Sequence, residues 1–272
     1  MVVSPSMIWR ICGGLLVVVV IAGAWALTGP GNGPGGGSPQ PTGSASGGGA
    51  SPYDGTPAAS FAVGAAGIAM PAPRAVKNWS VDQVSRAQQN VKAALVAGHL
   101  DPRMVVDRQV NGFLALFAEA DQGDVRDTFL TGPLTGAAIR TAPGTTLAAE
   151  QPRVSGATTV DASVDDSGLA VLEIDTNYVW VYPFTGESKK PGDRLVVVHD
   201  QLRWWVYHRA DVKPTSAGLW LNHSAASVTN IDCAYAGKQF IAPAPPDQKR
   251  VAGSTRDSFN PDNPVAPVGT CR

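Results

Sequence analysis

Hydrophobic residues just after residue 80 recur at the spacing of an amphipathic α-helix. The apolar face of this predicted helix comprises Val81, Val84, Val91, Ala94 and Leu95. Ser80 and Gln83 match a capping box, which predicts that the helix begins at this point. Gly98 is the predicted C-cap, because helices commonly end at a glycine.

A second helix is predicted directly after the first. Asp101 is a typical N-cap residue, and Pro102 suits the first helical position. The apolar positions of this helix are Val106, Val110, Phe113, Leu114 and Phe117, before Gly123. The connection between the helices is short, so we expect them to be packed neighbours.

Beyond residue 150 the hydrophobic period changes to two, which is typical of β-strands. Strands are predicted at Arg153–Val164 and Leu169–Phe184, joined by an Asp-Asp-Ser-Gly turn. Arg194–His199 and Leu202–Arg209 are predicted to form a hairpin about Asp200 and Gln201. Helices followed by at least four antiparallel strands indicate an α+β fold, with the helix pair packed on one face of the sheet.

The N-terminus contains an uncharged apolar run, Ile11–Leu27. Its length of about 17 residues reaches the lower limit for crossing a bilayer. Arg10 precedes the run, so residues 1–10 are predicted as a short cytoplasmic tail and the remainder as extracytoplasmic. The alternative is a cleaved signal peptide with Ala24–Ala26 as its cleavage site, which would yield a secreted protein.

Composition changes after this run, because residues 28–74 are rich in Gly, Pro, Ser and Ala. Thr28–Ser60 has too little apolar surface to offset the entropy of ordering, so a disordered linker is predicted. Phe61–Pro73 is more apolar and fits an irregular packed arm as well as a linker. Residues 75–272 are predicted as the extracytoplasmic α+β domain, with Ala118–Glu150 as a long loop.

The formal net charge is −1 and no basic cluster is present, which argues against a nucleic-acid partner. The histidines are His99, His199, His208 and His223, and their spacing matches no zinc motif. No metal, cofactor or catalytic residue is therefore predicted. Glu173 and Asp175 are interpreted as a solvent-facing strand surface rather than an acid pair. An enzyme is disfavoured, although the question stays open.

Two cysteines, Cys233 and Cys271, lie in the predicted extracytoplasmic part. In an oxidising compartment such a pair is expected to form a disulfide. The segment between them is rich in proline, so the bridge would pin a tail that has little else to hold it.

Aromatic residues cluster on two predicted strands. Tyr178, Trp180 and Tyr182 share one strand face and are interpreted as core, with a pocket between helices and sheet as the alternative. Trp204 and Trp205 are adjacent and must point to opposite faces of a regular strand. Trp205 and Tyr207 are therefore the candidate outer binding patch.

Four segments also carry a family resemblance: Leu100–Arg103, Leu172–Tyr182, Gly192–Tyr207 and Leu219–Cys233. They resemble membrane-anchored actinobacterial proteins without assigned chemistry. The order of helices and strands resembles the NTF2-like (cystatin-like) cone and the extracytoplasmic domains of bacterial conjugation proteins. These resemblances imply a curved sheet covered by the helix pair, and a partner from the envelope or from secretion or conjugation machinery.

Taken together, these patterns predict a membrane-tethered domain that binds or scaffolds a protein or a cell-envelope component without catalysis. The alternative is a small-molecule-binding or enzymatic pocket between helices and sheet. The oligomeric state is left open.

Overall fold

The computed structural model describes residues 51–131, 136–187, 190, 192–235, 238, 240–248 and 257–265. The predicted tail 1–10, the apolar run Ile11–Leu27, the linker up to residue 50 and Cys271 lie outside these residues. Among the residues described, no helix is long and apolar enough to cross a membrane.

Five antiparallel strands form one sheet in the described chain, and each strand pairs with the next in sequence. The strands are β1 (Ala62–Val63), β2 (Arg153–Val164), β3 (Ala170–Pro183), β4 (Leu195–Tyr207) and β5 (Leu219–Thr229). The bounds of β2 are as predicted, and β3 differs by one residue at each end. Gly168 closes the turn between them with a φ of 84°. The predicted α+β class and antiparallel order are confirmed.

Four α-helices precede β2 in the described residues. They are α1 (Val81–His99), α2 (Pro102–Val105), α3 (Asn111–Leu114) and α4 (Gln122–Thr131). Short 3-10 helices occupy Pro57–Ser60, Gly64–Gly67, Pro214–Ser216, Cys233–Tyr235 and Asp257–Phe259. The longest helix, α1, packs on β3 and β5.

The start of α1 is the predicted capping box. The Ser80 hydroxyl accepts a hydrogen bond from the Gln83 backbone N–H (3.3 Å), and the Gln83 side chain accepts one from the Ser80 N–H (2.8 Å). The predicted apolar face is buried at Val84, Val91, Ala94 and Leu95, but Val81 is 47 % exposed. Val81 lies in the first turn, ahead of the point where the helix meets the sheet.

The predicted C-cap at Gly98 is wrong, because α1 continues to His99 and Leu100 is its C-cap. Gly98 instead permits a close approach of backbone. A Cβ atom there would lie 2.6 Å from the carbonyl oxygen of Ala137, which is shorter than real Cβ contacts allow.

The prediction of one long second helix is also wrong, because the chain forms two short helices, α2 and α3, in its place. Between them Arg108 has a φ of 61°, a left-handed conformation that no continuous α-helix contains. Its Nε–H donates to the carbonyl oxygen of Thr141 (3.2 Å), a tertiary contact that breaks the helical path. The predicted N-cap is confirmed, because the Asp101 carboxylate accepts from the Arg103 N–H (2.9 Å).

The predicted hairpin about Asp200 and Gln201 is wrong, because β4 continues through both residues. Asp200 pairs with Tyr178 of β3 on one side and with Ala226 of β5 on the other. Pairing with both neighbouring strands provides hydrogen-bond partners for the backbone of Asp200. This pairing overrides the local turn preference of aspartate. His199, which the sequence places at a turn, is consequently a mid-strand residue that is 5 % exposed.

The predicted linker extends too far, because side chains between residues 53 and 70 pack on the sheet. Within Phe61–Pro73, Phe61, Ile68 and Met70 fit the alternative of an irregular packed arm. Tyr53 and Ala58 are buried with Val179, Val181, Leu195 and Val197 in a small apolar cluster on the outer face of β3 and β4. Ile68 is 2 % exposed and joins the main core on the inner face. A few buried side chains are enough to hold this segment, because they pack on an existing sheet face and do not need to form a core of their own.

The region Ala118–Glu150, predicted as a long loop, contains α4 and a buried segment. Ala138 and Ile139 are fully buried, and the Ile139 N–H donates to the carbonyl oxygen of Gly98 (3.1 Å). This segment covers the inner face of the sheet beside α1, so the main core has helix and extended chain on the same side.

Candidate functional site

Three aromatic side chains lie together on the outer face of β4 and β5, and we call them the aromatic surface: Trp205, Tyr207 and Trp220. Trp205 and Trp220 are paired across the strands, and the Tyr207 and Trp220 rings meet edge to face with centroids 5.9 Å apart. All three are partly exposed. The two predicted patch residues are thus on the outer face, and the structure adds Trp220.

A β-bulge places Trp220 on this face. The register between β4 and β5 shifts between Arg203 and Trp204, so Arg203 opposes His223 while Trp204 opposes Leu221. Asn222 is the extra residue. Without it the alternation of side chains would turn Trp220 towards the core.

The polar atoms of the aromatic surface are already bonded within the domain. The Trp205 Nε1–H donates to Glu173 Oε2 (3.0 Å), and the Tyr207 hydroxyl donates to Asp165 Oδ2 (3.2 Å). The Trp220 Nε1–H donates to the carbonyl oxygen of Ser216 (2.9 Å). The rings are therefore held in place, and what remains available to a partner is their apolar surface.

Carboxylates predominate around these rings. Glu173 and Asp175 of β3 share Arg203, whose Nε lies 3.4 Å from Glu173 Oε1 and 2.8 Å from Asp175 Oδ1. The further acidic residues at this end of β2 and the β2–β3 turn are Asp161, Asp165 and Asp166. Arg203 and Lys77, whose Nζ donates to the Ala162 carbonyl oxygen, offset two of these five carboxylates, so negative charge predominates at this end of the sheet.

Hydrogen bonding keeps the turn carboxylate ionised. Burial raises the pKa of Asp165, but donors from Ser167, Leu169 and Tyr207 outweigh that effect and hold the pKa below its usual value. Conversely, burial and the nearby Asp165 carboxylate raise the pKa of Tyr207 to about 12. The tyrosine therefore stays neutral, and the Asp165 carboxylate beside it stays ionised, from mildly acidic to alkaline pH.

A shallow groove of about 430 Å³ adjoins the aromatic surface across β3, β4 and β5. Its lining includes the outer-face residues Asp175, Asn177, Gln201, Arg203 and His223. Towards the opposite end of the face, the groove gives way to the apolar cluster beneath Tyr53. The open part of the outer face is thus confined to one end of the sheet.

The candidate pocket residues Tyr178, Trp180 and Tyr182 each have 0 % exposure and lie in the main core. The Tyr178 hydroxyl is 2.8 Å from both Thr158 Oγ1 and the carbonyl oxygen of Ala69. The three aromatic side chains are therefore core residues, as the first interpretation of the sequence predicts.

A buried polar pair, His99 and Asp200, lies beside these aromatics. His99 Nε2 is 3.6 Å from Asp200 Oδ2, and both side chains have 0 % exposure. The Trp180 Nε1–H donates to Asp200 Oδ2 (2.5 Å), and the His99 ring stacks on Trp180 with centroids 4.1 Å apart. His99 Nε2 and Asp200 Oδ1 have no hydrogen-bond partner.

Burial controls the protonation of this pair. It lowers the pKa of His99 to about 3, despite a backbone contact with Gly136 that opposes the shift. It raises the pKa of Asp200 well above its usual value, although the Trp180 hydrogen bond opposes that shift too. The burial of Asp200 is not apparent from the sequence, because its local pattern indicates a turn at this residue.

The other histidines are dispersed. His199 Nε2 is 2.7 Å from Asn177 Oδ1, and His208 stacks on Trp79 with centroids 3.6 Å apart. His223 is exposed. Within the part of the chain described, no group of three or more His, Cys, Asp or Glu side chains is arranged to hold a metal ion.

Cys233 follows β5 in a short 3-10 helix and is disulfide-bonded. Its predicted partner Cys271 lies outside the described residues, so this pairing stays a prediction. Comparison with protein-family models, with curated proteins and with solved structures found no match.

Proposed function

We propose that this protein is a membrane-tethered extracytoplasmic binding domain that holds a positively charged protein segment on its aromatic surface. One observation carries the proposal: Trp205, Tyr207 and Trp220 present their rings on an outer face bordered by carboxylates. Large aromatic side chains at a solvent-accessible face are typical anchors of protein–protein contacts.

Charge selects the partner. Asp161, Asp165 and Asp166 extend the acidic border beyond Glu173 and Asp175, and Arg203 and Lys77 compensate only two of these charges. Lys or Arg side chains of a partner would meet carboxylates at the border and aromatic ring faces at the centre. Cation–π contacts contribute about 0.5–1 kcal/mol each at exposed sites, and complementary charge accelerates association.

The proposed setting follows from the N-terminus and the resemblances. The apolar run Ile11–Leu27 is proposed as the membrane anchor, with a secreted form as the alternative. The α+β domain is proposed to be an NTF2-like cone, which the packing of α1 on one face of a long-stranded antiparallel sheet supports. The partner is proposed to be an envelope protein or a component of secretion or conjugation machinery.

Peptide titration tests the proposal. The probe is a synthetic peptide that alternates Lys with Thr, titrated into the full chain by calorimetry, with Glu replacing each Lys in the control peptide. We expect the Lys peptide alone to bind, and its affinity to fall as salt screens the carboxylates. Trp205→Ala should weaken binding about tenfold, which corresponds to about 1.4 kcal/mol.

Two matched variants separate binding from folding. Glu173→Gln keeps an acceptor for the Trp205 indole and removes one charge, so it should weaken binding about threefold without loss of structure. Phe61→Ala, at the covered end of the same face, should leave affinity unchanged. Equal binding of both peptides, or unchanged affinity in both Trp205→Ala and Glu173→Gln, would contradict the proposal.

The alternative function, a ligand-binding or catalytic pocket between helices and sheet, has one observation in its favour. His99 and Asp200 place a potential acid–base pair with two unpartnered atoms inside the core. The aromatic rings of Tyr178, Trp180 and Tyr182 fill the surrounding space, so a ligand would require the core to open.

A further inference from the structure

The buried polar pair joins two elements that are far apart in sequence. His99 ends α1, and Asp200 lies at the middle of β4. The histidine Nδ1 is 3.1 Å from the Tyr182 hydroxyl, so its ring is fixed between that hydroxyl and the Trp180 indole. Its other nitrogen faces Asp200 across 3.6 Å, too long for a direct hydrogen bond.

Few other groups influence the charge of this pair. Among the described residues, the titratable side chains that face it are Tyr178 and Tyr182 of β3, whose pKa values are raised by burial and, to a smaller extent, by the Asp200 carboxylate. From β5, Ala226 stands opposite Asp200, and Gly136 packs on the Asp200 Cβ from the segment after α4. No cation within the described part of the chain therefore stands beside the pair to compensate an ionised carboxylate.

We propose that His99 and Asp200 together retain one proton inside the folded domain, and that this proton makes the packing of α1 on the sheet dependent on pH. A charge without compensation at full burial is strongly unfavourable. A single shared proton leaves the pair without net charge, whether it resides on the carboxyl group or on the imidazole. Loss of that proton leaves a net negative charge in the core.

The pH dependence follows from counting protons. The usual pKa values are 3.8 for the carboxyl group and 6.5 for the imidazole. Between pH 3.8 and pH 6.5 these two groups also hold one proton in the unfolded chain, so unfolding neither binds nor releases a proton. Above pH 6.5 the unfolded chain holds none and the folded pair holds one, so stability falls as pH rises. Below pH 3.8 the unfolded chain holds two, and stability falls again on acidification.

Urea unfolding of the full chain, followed by tryptophan fluorescence from pH 5 to pH 8, measures this contribution. Above pH 6.5, the ratio of the wild-type unfolding equilibrium constant to that of Asp200→Asn should rise by up to about tenfold per pH unit. The asparagine has similar shape and cannot release the proton. Asp107→Asn removes an exposed carboxylate that follows α2 and should retain the wild-type dependence.

A second measurement needs no variant. Nitrogen-15 NMR of the histidine rings should show the His99 resonances unchanged between pH 5 and pH 8. The proposal is overturned if the His99 ring titrates within this range, or if Asp200→Asn unfolds with the same pH dependence as the wild type. Neither measurement involves a binding partner, so its outcome is independent of the proposed binding function.

Discussion

At the scale of single residues, the absence of a side chain at Gly98 matters as much as the contacts that other side chains make. Gly98 occupies the last turn of α1, where glycine costs about 1 kcal/mol relative to alanine. The helix backbone contacts the segment at Ala137 and Ala138 through this gap, and the Gly98 carbonyl accepts the Ile139 N–H. The same residue that weakens the helix locally therefore enables the contact that covers the core.

Gly98→Ala should lower the free energy of unfolding by about 1–3 kcal/mol, because the added methyl group would lie 2.6 Å from a carbonyl oxygen. Gly112→Ala in α3 is the matched control, since nothing lies within 4 Å of its Cβ position. The control should be neutral or stabilising by up to about 1 kcal/mol. Urea denaturation compares both, and equal stability of the two variants would refute this packing role.

At the scale of elements, α1 combines a strong local start with a tertiary end. Its first turn is held by the reciprocal Ser80 and Gln83 bonds, which involve neighbours in sequence. Its last residue, His99, is held by β3 and β4. The beginning of the helix is thus set by local chemistry, and its end by packing against the sheet.

Ser80→Ala should destabilise the protein by about 1 kcal/mol, because the Gln83 N–H loses its capping acceptor. Asn90→Ala, at an exposed position within the same helix, should be neutral or slightly stabilising because alanine has the higher helix propensity. Thermal unfolding followed by circular dichroism measures both. A Ser80→Ala variant as stable as Asn90→Ala would show that the cap contributes nothing.

At the scale of the whole molecule, the two faces of the sheet are covered unequally. Among the described residues, helices and the segment at Ala138 cover the inner face, while residues 53–61 and Phe259 cover one end of the outer face. The aromatic surface lies at the other end. The two covering segments thus restrict where a partner can dock.

The predicted disulfide is also a property of the whole chain, since it would close a loop of nearly 40 residues. On the chain-entropy relation it should stabilise the fold by roughly 3–4 kcal/mol. Thiol titration of the denatured full chain should find one free thiol, Cys12, and three after reduction. In Cys271→Ser the count without reduction should be two; a count of three in the unreduced wild type would exclude any bridge.

Several features of the fold and of the site were predictable because they depend on near neighbours. The bounds of β2, the capping box at Ser80 and the N-cap at Asp101 follow from periodicity and side-chain chemistry within a few residues. The outer position of Trp205 follows from alternation along one strand. Trp220 could not be placed in this way, because one bulge residue reverses the alternation on β5.

The sequence by itself thus determined the α+β class, the position of the helices ahead of the long strands, and the face on which Trp205 and Tyr207 lie, since period and capping are local properties. Only the tertiary structure decided that β4 runs through Asp200, that Tyr53 and Ala58 pack on the sheet and that His99 meets Asp200. Each of these depends on partners contributed by distant parts of the chain. Paired strands override the turn preference of a single aspartate, and burial then gives that aspartate its altered protonation.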